Sequence, residues 1–182
     1  MRACRRLASI AGAPAADVCA ALLGGSEKHD HDTGRLLPQE FAARVCAKIG
    51  LQLPYSEFAE IWCDIFVEKR EVTALLDEIG QHAELVLLSN TDPLHLDFVR
   101  RRYDFLDKFT QLVLSYEVGH AKPDRQIYER ALGLCVKGTR AIYFDDVAEF
   151  VSAARACGLP AEQFVGIDAL ERELIRFGVL GH

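Results

Sequence analysis

The segment that decides the fold is Ala141-Ile142-Tyr143-Phe144-Asp145-Asp146. Four residues of high strand propensity precede two adjacent carboxylates, and a helical pattern follows from Val147 to Cys157. This order predicts a strand, a tight turn and a helix. In an open α/β sheet, ligands bind at the carboxyl ends of the strands, so the two acids lie where a ligand is expected.

The two acids point to a cation, because adjacent carboxylates repel each other unless a positive charge compensates them. Mg²⁺ prefers oxygen ligands and is typically bound by one or two carboxylates together with a phosphate. The pair therefore predicts a Mg²⁺ site. The alternative is structural, since aspartates also cap helix N-termini and interact favourably with the helix dipole.

Further apolar runs on both sides of this segment predict a parallel sheet. Leu85–Leu88, Leu112–Leu114 and Phe164–Ile167 have the continuous apolar character of strands buried on both faces. Helical patterns separate these strands, and strands that alternate with helices form a parallel sheet with right-handed crossovers. Residues 71–182 are therefore predicted to form an α/β domain, a Rossmann-like parallel sheet with helices on both faces.

Residues 1–70 are predicted to form a separate helical domain, with the boundary between Val67 and Val72. Its four helices are Arg2–Ala11, Pro14–Leu23, Pro38–Ile49 and a helix capped by Ser56. The polar stretch from Ser26 to Leu37 predicts a loop. Within it, His29 to Asp32 suggests a polar turn more than a metal site, and Trp62 is predicted to be a packing residue.

Composition excludes several classes of partner. The net charge of −6 and the pI near 5.5 argue against a nucleic-acid surface, which is normally basic. No window approaches the roughly 18 apolar residues that span a bilayer, which predicts no membrane partner. The six cysteines are scattered, with no Cys-x-x-Cys pair, and this usage is typical of a reducing cytoplasm.

Two further strand ends carry polar residues suited to an anion. Ser89-Asn90-Thr91-Asp92 follows the first predicted strand, where a hydroxyl and backbone N–H groups leading into a helix form a phosphate cradle, although a capped turn has the same pattern. Lys122, before Pro123, could neutralise a phosphoryl group or a carboxylate, although most such lysines are simply solvated. The order Ser, Lys-Pro, Asp-Asp is much less expected by chance than each signal alone.

That ordered set resembles the haloacid dehalogenase-like (HAD) hydrolase superfamily. Leu87–Thr91 is similar to the second motif of that superfamily, Lys122–Asp124 to the third and Phe144–Asp146 to the fourth. The preceding helices resemble the small helical cap of the branch that holds sugar-phosphate phosphatases. The resemblance implies Mg²⁺-dependent hydrolysis of a small phosphorylated substrate through an aspartyl-phosphate.

The resemblance also implies roles for individual residues. Ser89 would hydrogen-bond a phosphoryl oxygen, helped by the backbone of Asn90. Lys122 would pair with the nucleophile and the phosphate. Asp146 would be the Mg²⁺ ligand, and Asp145 would be a second ligand or would support the first.

The first motif of the superfamily, an Asp-x-Asp sequence after the central strand, is not found. The only Asp-x-Asp is Asp30-His31-Asp32, which no apolar strand precedes. We expect the chain to begin downstream of its own catalytic strand, so that the core is incomplete and the central first strand is missing. Backbone groups left unpaired in such a gap would cost on the order of 1–3 kcal/mol each.

The sequence thus predicts a HAD-like hydrolase of the Mg²⁺-dependent phosphomonoesterase type whose activity is impaired because its nucleophile strand is absent. The first alternative is a non-catalytic relative that uses the phosphate cradle or the gap in the sheet to hold a partner. A homodimer formed by strand exchange is conceivable. A 2-haloacid dehalogenase is the second alternative, but it needs no metal, and the adjacent acids argue for one.

Overall fold

The structure is a computed structural model that describes residues 2–135 and 139–181. Its helices are α1 (Arg2–Ala11), α2 (Ala15–Leu23), α3 (Ser26–Asp32), α4 (Pro38–Lys48), α5 (Tyr55–Cys63), α6 (Arg70–Ile79), α7 (Pro93–Arg102), α8 (Ser115–Val118), α9 (Arg125–Leu132), α10 (Ala148–Ala156) and α11 (Ile167–Phe177). Its strands are β1 (Val86–Ser89), β2 (Gln111–Leu114), β3 (Tyr143–Asp145) and β4 (Ala161–Gln163). A short 3-10 helix covers Phe105–Lys108.

The chain divides into two compact units, which we call the helical unit and the α/β unit. The helical unit comprises the residues up to Val67 together with Asn90–Arg102 and Ser115–Gly119. The α/β unit comprises Glu68–Ser89, Tyr103–Leu114 and the residues from His120 onward. Two segments that the sequence analysis assigned to the core domain, α7 and α8, thus lie with the N-terminal helices.

The helical unit is built on one aromatic and aliphatic core. Helix α1 shows why these residues pack: Cys4, Leu7 and Ala8 fall on one face of the helix and are buried, while its arginines lie on the other. The centre of the core holds Phe41 and Phe58, with ring centroids 6.1 Å apart in an edge-to-face arrangement.

The sequence analysis predicted a loop at Ser26–Asp32, and this is wrong because the segment forms helix α3. Its residues are nearly all polar, so the sequence shows no periodic spacing of apolar residues that would predict a helix there. The helix is stabilised instead by tertiary packing: His31 is fully buried, and its ring stacks on that of Phe41 with centroids 4.3 Å apart. Residues 2–63 therefore contain five helices, one more than predicted.

The α/β unit contains two parallel pairs of strands in the part of the chain that the structure describes. Strand β1 pairs with β2, in a register that places Leu88 opposite Val113, and β3 pairs with β4. The predicted fourth strand, Phe164–Ile167, is wrong: the strand is β4, and α11 already begins at Ile167. Val165 is 72% exposed, so the apolar run there is not a core strand.

Each pair of strands has two outer edges that no described strand covers, and the edge of β3 that faces away from β4 is one of them. The N–H of Tyr143 donates to the carbonyl of Pro160, and the carbonyl of Asp145 accepts from Phe164, so both groups point toward β4. Because backbone groups alternate in direction along a strand, the N–H and carbonyl of Phe144 point away from β4. No strand of residues 139–181 or 2–135 pairs with that edge.

Strand β1 has the same arrangement. The carbonyl of Leu85 accepts from the N–H of Thr110, on the side of β2. The backbone groups of Val86 and Leu88 therefore point to the opposite edge, which no described strand covers. The sequence predicts a parallel sheet without its central first strand, and in the described residues the sheet is present as two parallel pairs that no described strand joins.

In residues 2–135 and 139–181, no single helix is long and apolar enough to cross a membrane. Helices α1 and α2 pass that test of length and composition only when they are taken together, and they are bent by 120°. The six cysteines, all of which lie in the described residues, form no disulfide bond.

Gly34 is a position where we expect substitution to be costly. Its φ is +74°, and a Cβ there would overlap the backbone carbonyl of Tyr116. We expect Gly34→Ala to lower the free energy of unfolding by roughly 2–4 kcal/mol, from backbone strain and overlap together. Gly12 is the matched control, because it has a φ of +62° but open space around it. Urea unfolding of Gly12→Ala should show a loss of only about 1 kcal/mol, and equal losses would contradict the overlap.

Candidate functional site

The ammonium of Lys122 lies at the carboxyl ends of β1 and β3. It donates to the carboxylate of Asp145 at 2.7 Å and to the backbone carbonyl of Leu88 at 3.2 Å. The lysine and aspartate side chains are only 9% and 7% exposed. The carbonyl of Leu88 is one of the groups on the free edge of β1, so Lys122 satisfies it in place of a neighbouring strand. The prediction that this lysine reaches the sheet end is consistent with these contacts.

Both carboxylate oxygens of Asp145 are engaged by protein donors. Oδ2 accepts from Lys122 and from the hydroxyl of Tyr143, and Oδ1 accepts from the N–H of Val147 at 2.9 Å. Burial alone would raise the pKa of Asp145, but the hydrogen bonds from Lys122, Tyr143 and Val147 outweigh it and hold that pKa below its ordinary value. Asp145 is therefore a carboxylate that fixes Lys122 and the turn into α10.

Tyr143 completes this network. Burial, the hydrogen bond to Asp145 and the negative charge of that carboxylate raise the pKa of Tyr143 far above its ordinary value. The phenol therefore keeps its proton and donates a hydrogen bond to Asp145, while its oxygen accepts a hydrogen bond from Lys122 at 3.1 Å.

Asp146 differs from its neighbour. It is exposed, and only its backbone carbonyl makes a hydrogen bond, with Gln163 as the donor at 2.9 Å. Its carboxylate is thus available to a ligand from solution. Among residues 2–135 and 139–181, no group of three or more His, Cys, Asp or Glu side chains is arranged to hold a metal ion.

The polar residues of the loop after β1 belong to different units and have different contacts. Ser89 ends β1, is half-buried and belongs to the α/β unit. Asn90 follows it directly and belongs to the helical unit. The N–H of Thr91 is not free for an anion, because it donates to the hydroxyl of Ser115 at 3.0 Å. The run of available N–H groups predicted from the sequence is shortened accordingly.

The sequence analysis missed a buried charged cluster in the helical unit. Asp92 is fully buried and accepts hydrogen bonds from the indole of Trp62 at 3.1 Å and from His95 Nδ1 at 2.9 Å. His31 Nε2 lies 3.5 Å from the same carboxylate oxygen. Trp62 is a packing residue as predicted, but it is also a hydrogen-bond donor. The signal available in the sequence was the spacing of Asp92 and His95, three residues apart at the start of a helix, as for an N-cap.

The comparisons with known proteins concern most of the chain. Residues 13–158 match the family model of the haloacid dehalogenase-like hydrolases. The fold is similar to that of a HAD family enzyme of Bacteroides thetaiotaomicron, with a TM-score of 0.78, 20% identity and coverage of 94% of this chain and 87% of the other. It is also similar to a HAD-like family hydrolase of Porphyromonas gingivalis, with a TM-score of 0.79, 24% identity and coverage of 95% and 89%.

A third similar structure is the L-2-haloacid dehalogenase of Xanthobacter autotrophicus with covalently bound chloropropionic acid. It has a TM-score of 0.62, 16% identity and coverage of 92% of this chain and 71% of the other. At identities of 24% or less, these similarities show a shared fold and nothing beyond it. The match of the family model, which extends over well more than half of the chain and includes all three strand-end motifs, places this chain in the family of haloacid dehalogenase-like hydrolases.

Proposed function

We propose that the chain carries the phosphate- and Mg²⁺-binding residues of a phosphomonoesterase that acts on a small phosphorylated metabolite. The observation that carries this proposal is the buried ammonium of Lys122 at the carboxyl ends of β1 and β3. A fixed cation at that edge stabilises the negative charge of a phosphoryl group. Ser89, which ends β1, supplies a hydroxyl donor for a phosphoryl oxygen, and the backbone of Asn90 follows it.

The available carboxylate of Asp146 fits Mg²⁺ with one protein ligand. This ion keeps several waters and is commonly held by one or two carboxylates together with a substrate phosphate. Asp145 remains a proposed second ligand or support, and its contacts with Lys122 and Val147 favour support. Mg²⁺ would neutralise charge on the phosphoryl oxygens. The HAD family enzyme of B. thetaiotaomicron has been crystallised with magnesium and inorganic phosphate, which supports the assignment.

The same residues argue for weak turnover. The carboxylate that contacts Lys122 is that of Asp145, and both of its oxygens accept hydrogen bonds from the protein. It is therefore not free to attack a phosphoryl group. We propose that the described residues bind phosphate and Mg²⁺ but hydrolyse phosphomonoesters slowly or not at all.

Asp146→Asn tests this proposal, because it removes the proposed metal ligand with little change in shape. We expect Mg²⁺ affinity, measured by calorimetry, to fall about tenfold or more. Any Mg²⁺-dependent hydrolysis of p-nitrophenyl phosphate should be lost together with it. Asp168→Asn is the matched control, since Asp168 is another exposed acid of the α/β unit, and it should change neither quantity. Mg²⁺ binding that survives in Asp146→Asn would refute the site.

The second candidate function is that of a non-catalytic partner-binding protein, and the open edges of β1 and β3 favour it. Unpaired N–H and carbonyl groups on a strand edge are a template for another strand. A homodimer formed by strand pairing is one form of this proposal. Sedimentation velocity that shows a monomer at micromolar concentrations would exclude that form.

A 2-haloacid dehalogenase activity is the third candidate, and the similarity of fold to the X. autotrophicus enzyme is its only support. Chloride release from 2-chloropropionate in the presence of a chelator would favour it over the phosphatase.

A further inference from the structure

The buried carboxylate of Asp92 has no freedom of orientation. Its Oδ1 accepts from the backbone N–H of His95 at 3.0 Å, and its Oδ2 accepts from Trp62 and from the ring of His95. Burial alone would raise the pKa of Asp92, but the hydrogen bonds and positive charges of His31 and His95 hold that pKa well below its ordinary value. Asp92 is therefore a carboxylate anion held by donors from helices α5 and α7, with the ring of His31 from α3 beside it at 3.5 Å.

The ring of His95 faces an acceptor on each side. Nδ1 lies 2.9 Å from the carboxylate of Asp92, and Nε2 lies 3.0 Å from the backbone carbonyl of Trp62. A carboxylate and a carbonyl only accept hydrogen bonds, so the ring is held between two acceptors. It also stacks on the indole of Trp62, with centroids 4.9 Å apart.

The titratable groups around this pair come from each neighbouring helix. Helix α3 contributes His31, whose Nδ1 donates to the carbonyl of Leu36 at 3.1 Å. Helix α5 contributes Cys63, and burial together with the charge of Asp92 raises the pKa of its thiol to about 12. Tyr55, at the start of α5, also has a raised pKa, from burial and from the same charge. Thiol and phenol therefore stay neutral, and Asp92 is the anion of the cluster.

A second set of hydrogen bonds holds Thr91, the residue that precedes Asp92. The hydroxyl of Ser115, which is fully buried, accepts from the N–H of Thr91 at 3.0 Å and donates to the carbonyl of Thr91 at 3.1 Å. Both backbone groups of Thr91 are thus held by one side chain. Thr91 and Asp92 are the two residues that follow Asn90, so the chain is anchored immediately after the segment assigned to phosphate.

We propose that Asp92 and Ser115 are positioning residues: they hold Thr91 in place and thereby keep the backbone of the preceding residue, Asn90, in the conformation that binds a phosphoryl group. This inference rests on the proposed function and deepens it, because it assigns substrate affinity to residues that do not touch the substrate. The contacts of Asp92 and Ser115 that carry this inference do not include Asp146, so the inference concerns the anion and not the metal. We therefore expect substitutions of Asp92 or Ser115 to lower the affinity for phosphate and to leave the affinity for Mg²⁺ unchanged.

Asp92→Asn is the main variant. An asparagine side chain has one acceptor oxygen where aspartate has two, so in either orientation of the amide at least one donor that contacts Asp92 loses its acceptor. The probes are inorganic phosphate and Mg²⁺, each titrated while the amide resonances of residues 89–91 and 146 are followed by NMR. We expect phosphate affinity to fall on the order of tenfold, as for loss of a residue that orients a ligand, and Mg²⁺ affinity to be unchanged. Asp97→Asn is the control, since Asp97 is on the same helix and its side chain is 61% exposed.

Ser115→Ala is the second variant, and it decides the matter if Asp92→Asn does not fold. We expect it to speed hydrogen exchange at the Thr91 amide and to weaken phosphate binding, again without effect on Mg²⁺. Phosphate affinity equal to that of the wild type in a folded Asp92→Asn or Ser115→Ala protein would overturn the inference. If the wild type itself binds no phosphate, the proposed function fails. Hydrogen exchange at the Thr91 amide then still tests whether Asp92 and Ser115 hold this segment. Exchange at the wild-type rate in the folded variants would refute that role.

Discussion

Lys122→Met is expected to destabilise the protein by on the order of 3–5 kcal/mol, because it leaves a buried carboxylate without its cation. The lysine and its partner Asp145 are both less than one-tenth exposed, so solvent does little to screen the loss. The variant also removes the donor that satisfies the carbonyl of Leu88 on the free edge of β1. Urea unfolding followed by circular dichroism measures the effect.

The pair Lys108 and Asp77 is the matched control. Its N–O distance is 2.5 Å, but the two side chains are 26% and 66% exposed. Lys108→Met should therefore cost no more than about 1 kcal/mol. The double variant Lys122→Met with Asp145→Asn should recover part of the loss, because it removes the unpaired charge. Equal losses in the two single lysine variants would show that burial does not determine the energy of the Lys122 pair.

Asp92→Ala is expected to have the second large effect, a loss of roughly 3–5 kcal/mol, because it leaves the buried ring of His95 and the indole N–H of Trp62 without their acceptor and removes the carboxylate beside His31. The pH dependence follows from the pKa of Asp92, which is lower in the folded protein than its ordinary value. The unfolded chain then binds more protons than the folded one. The stabilisation is present above an unfolded pKa of about 3.9 and is lost as pH falls toward the lower folded pKa.

Unfolding measured at several pH values tests that sign. The difference in stability between the wild type and Asp92→Ala should be full near neutral pH and should shrink progressively below about pH 4. A difference that grows on acidification would show that Asp92 is protonated in the folded protein. Asp97→Ala is again the control, since its exposed ion pair with Arg101 should contribute less than about 1 kcal/mol.

Much of the α/β unit could be predicted from the sequence. Three of the four strands lie within about two residues of their predicted positions, because continuous apolar runs such as Leu85–Leu88 are a local signal. The fourth strand was misplaced, since the apolar residues that follow Gln163 are partly exposed and the strand itself, Ala161–Gln163, has a polar half. Its position is set by pairing with β3, a long-range contact.

The residue types of the candidate site could be predicted from the sequence, but the contacts between these residues could not. The residue types at the strand ends identified Lys122, Asp145 and Asp146 as a group. Which of the two aspartates contacts the lysine depends on backbone direction at the end of β3, and only the tertiary structure shows that it is Asp145. Asp146, one residue later, is turned to solvent.

What the sequence determined by itself is the family, the order of elements and the strand-end residues, because each of these is encoded in short stretches of chain. What only the tertiary structure decided is which charges are buried together. His31, Trp62 and Asp92 follow one another in the sequence at intervals of about thirty residues, and His31 falls in a segment with no helical pattern. Their pairing depends on the packing of three helices around one carboxylate. Burial of that charge is possible because Trp62 and His95 donate to it and His31 lies beside it, and no local pattern in the sequence encodes such a long-range arrangement.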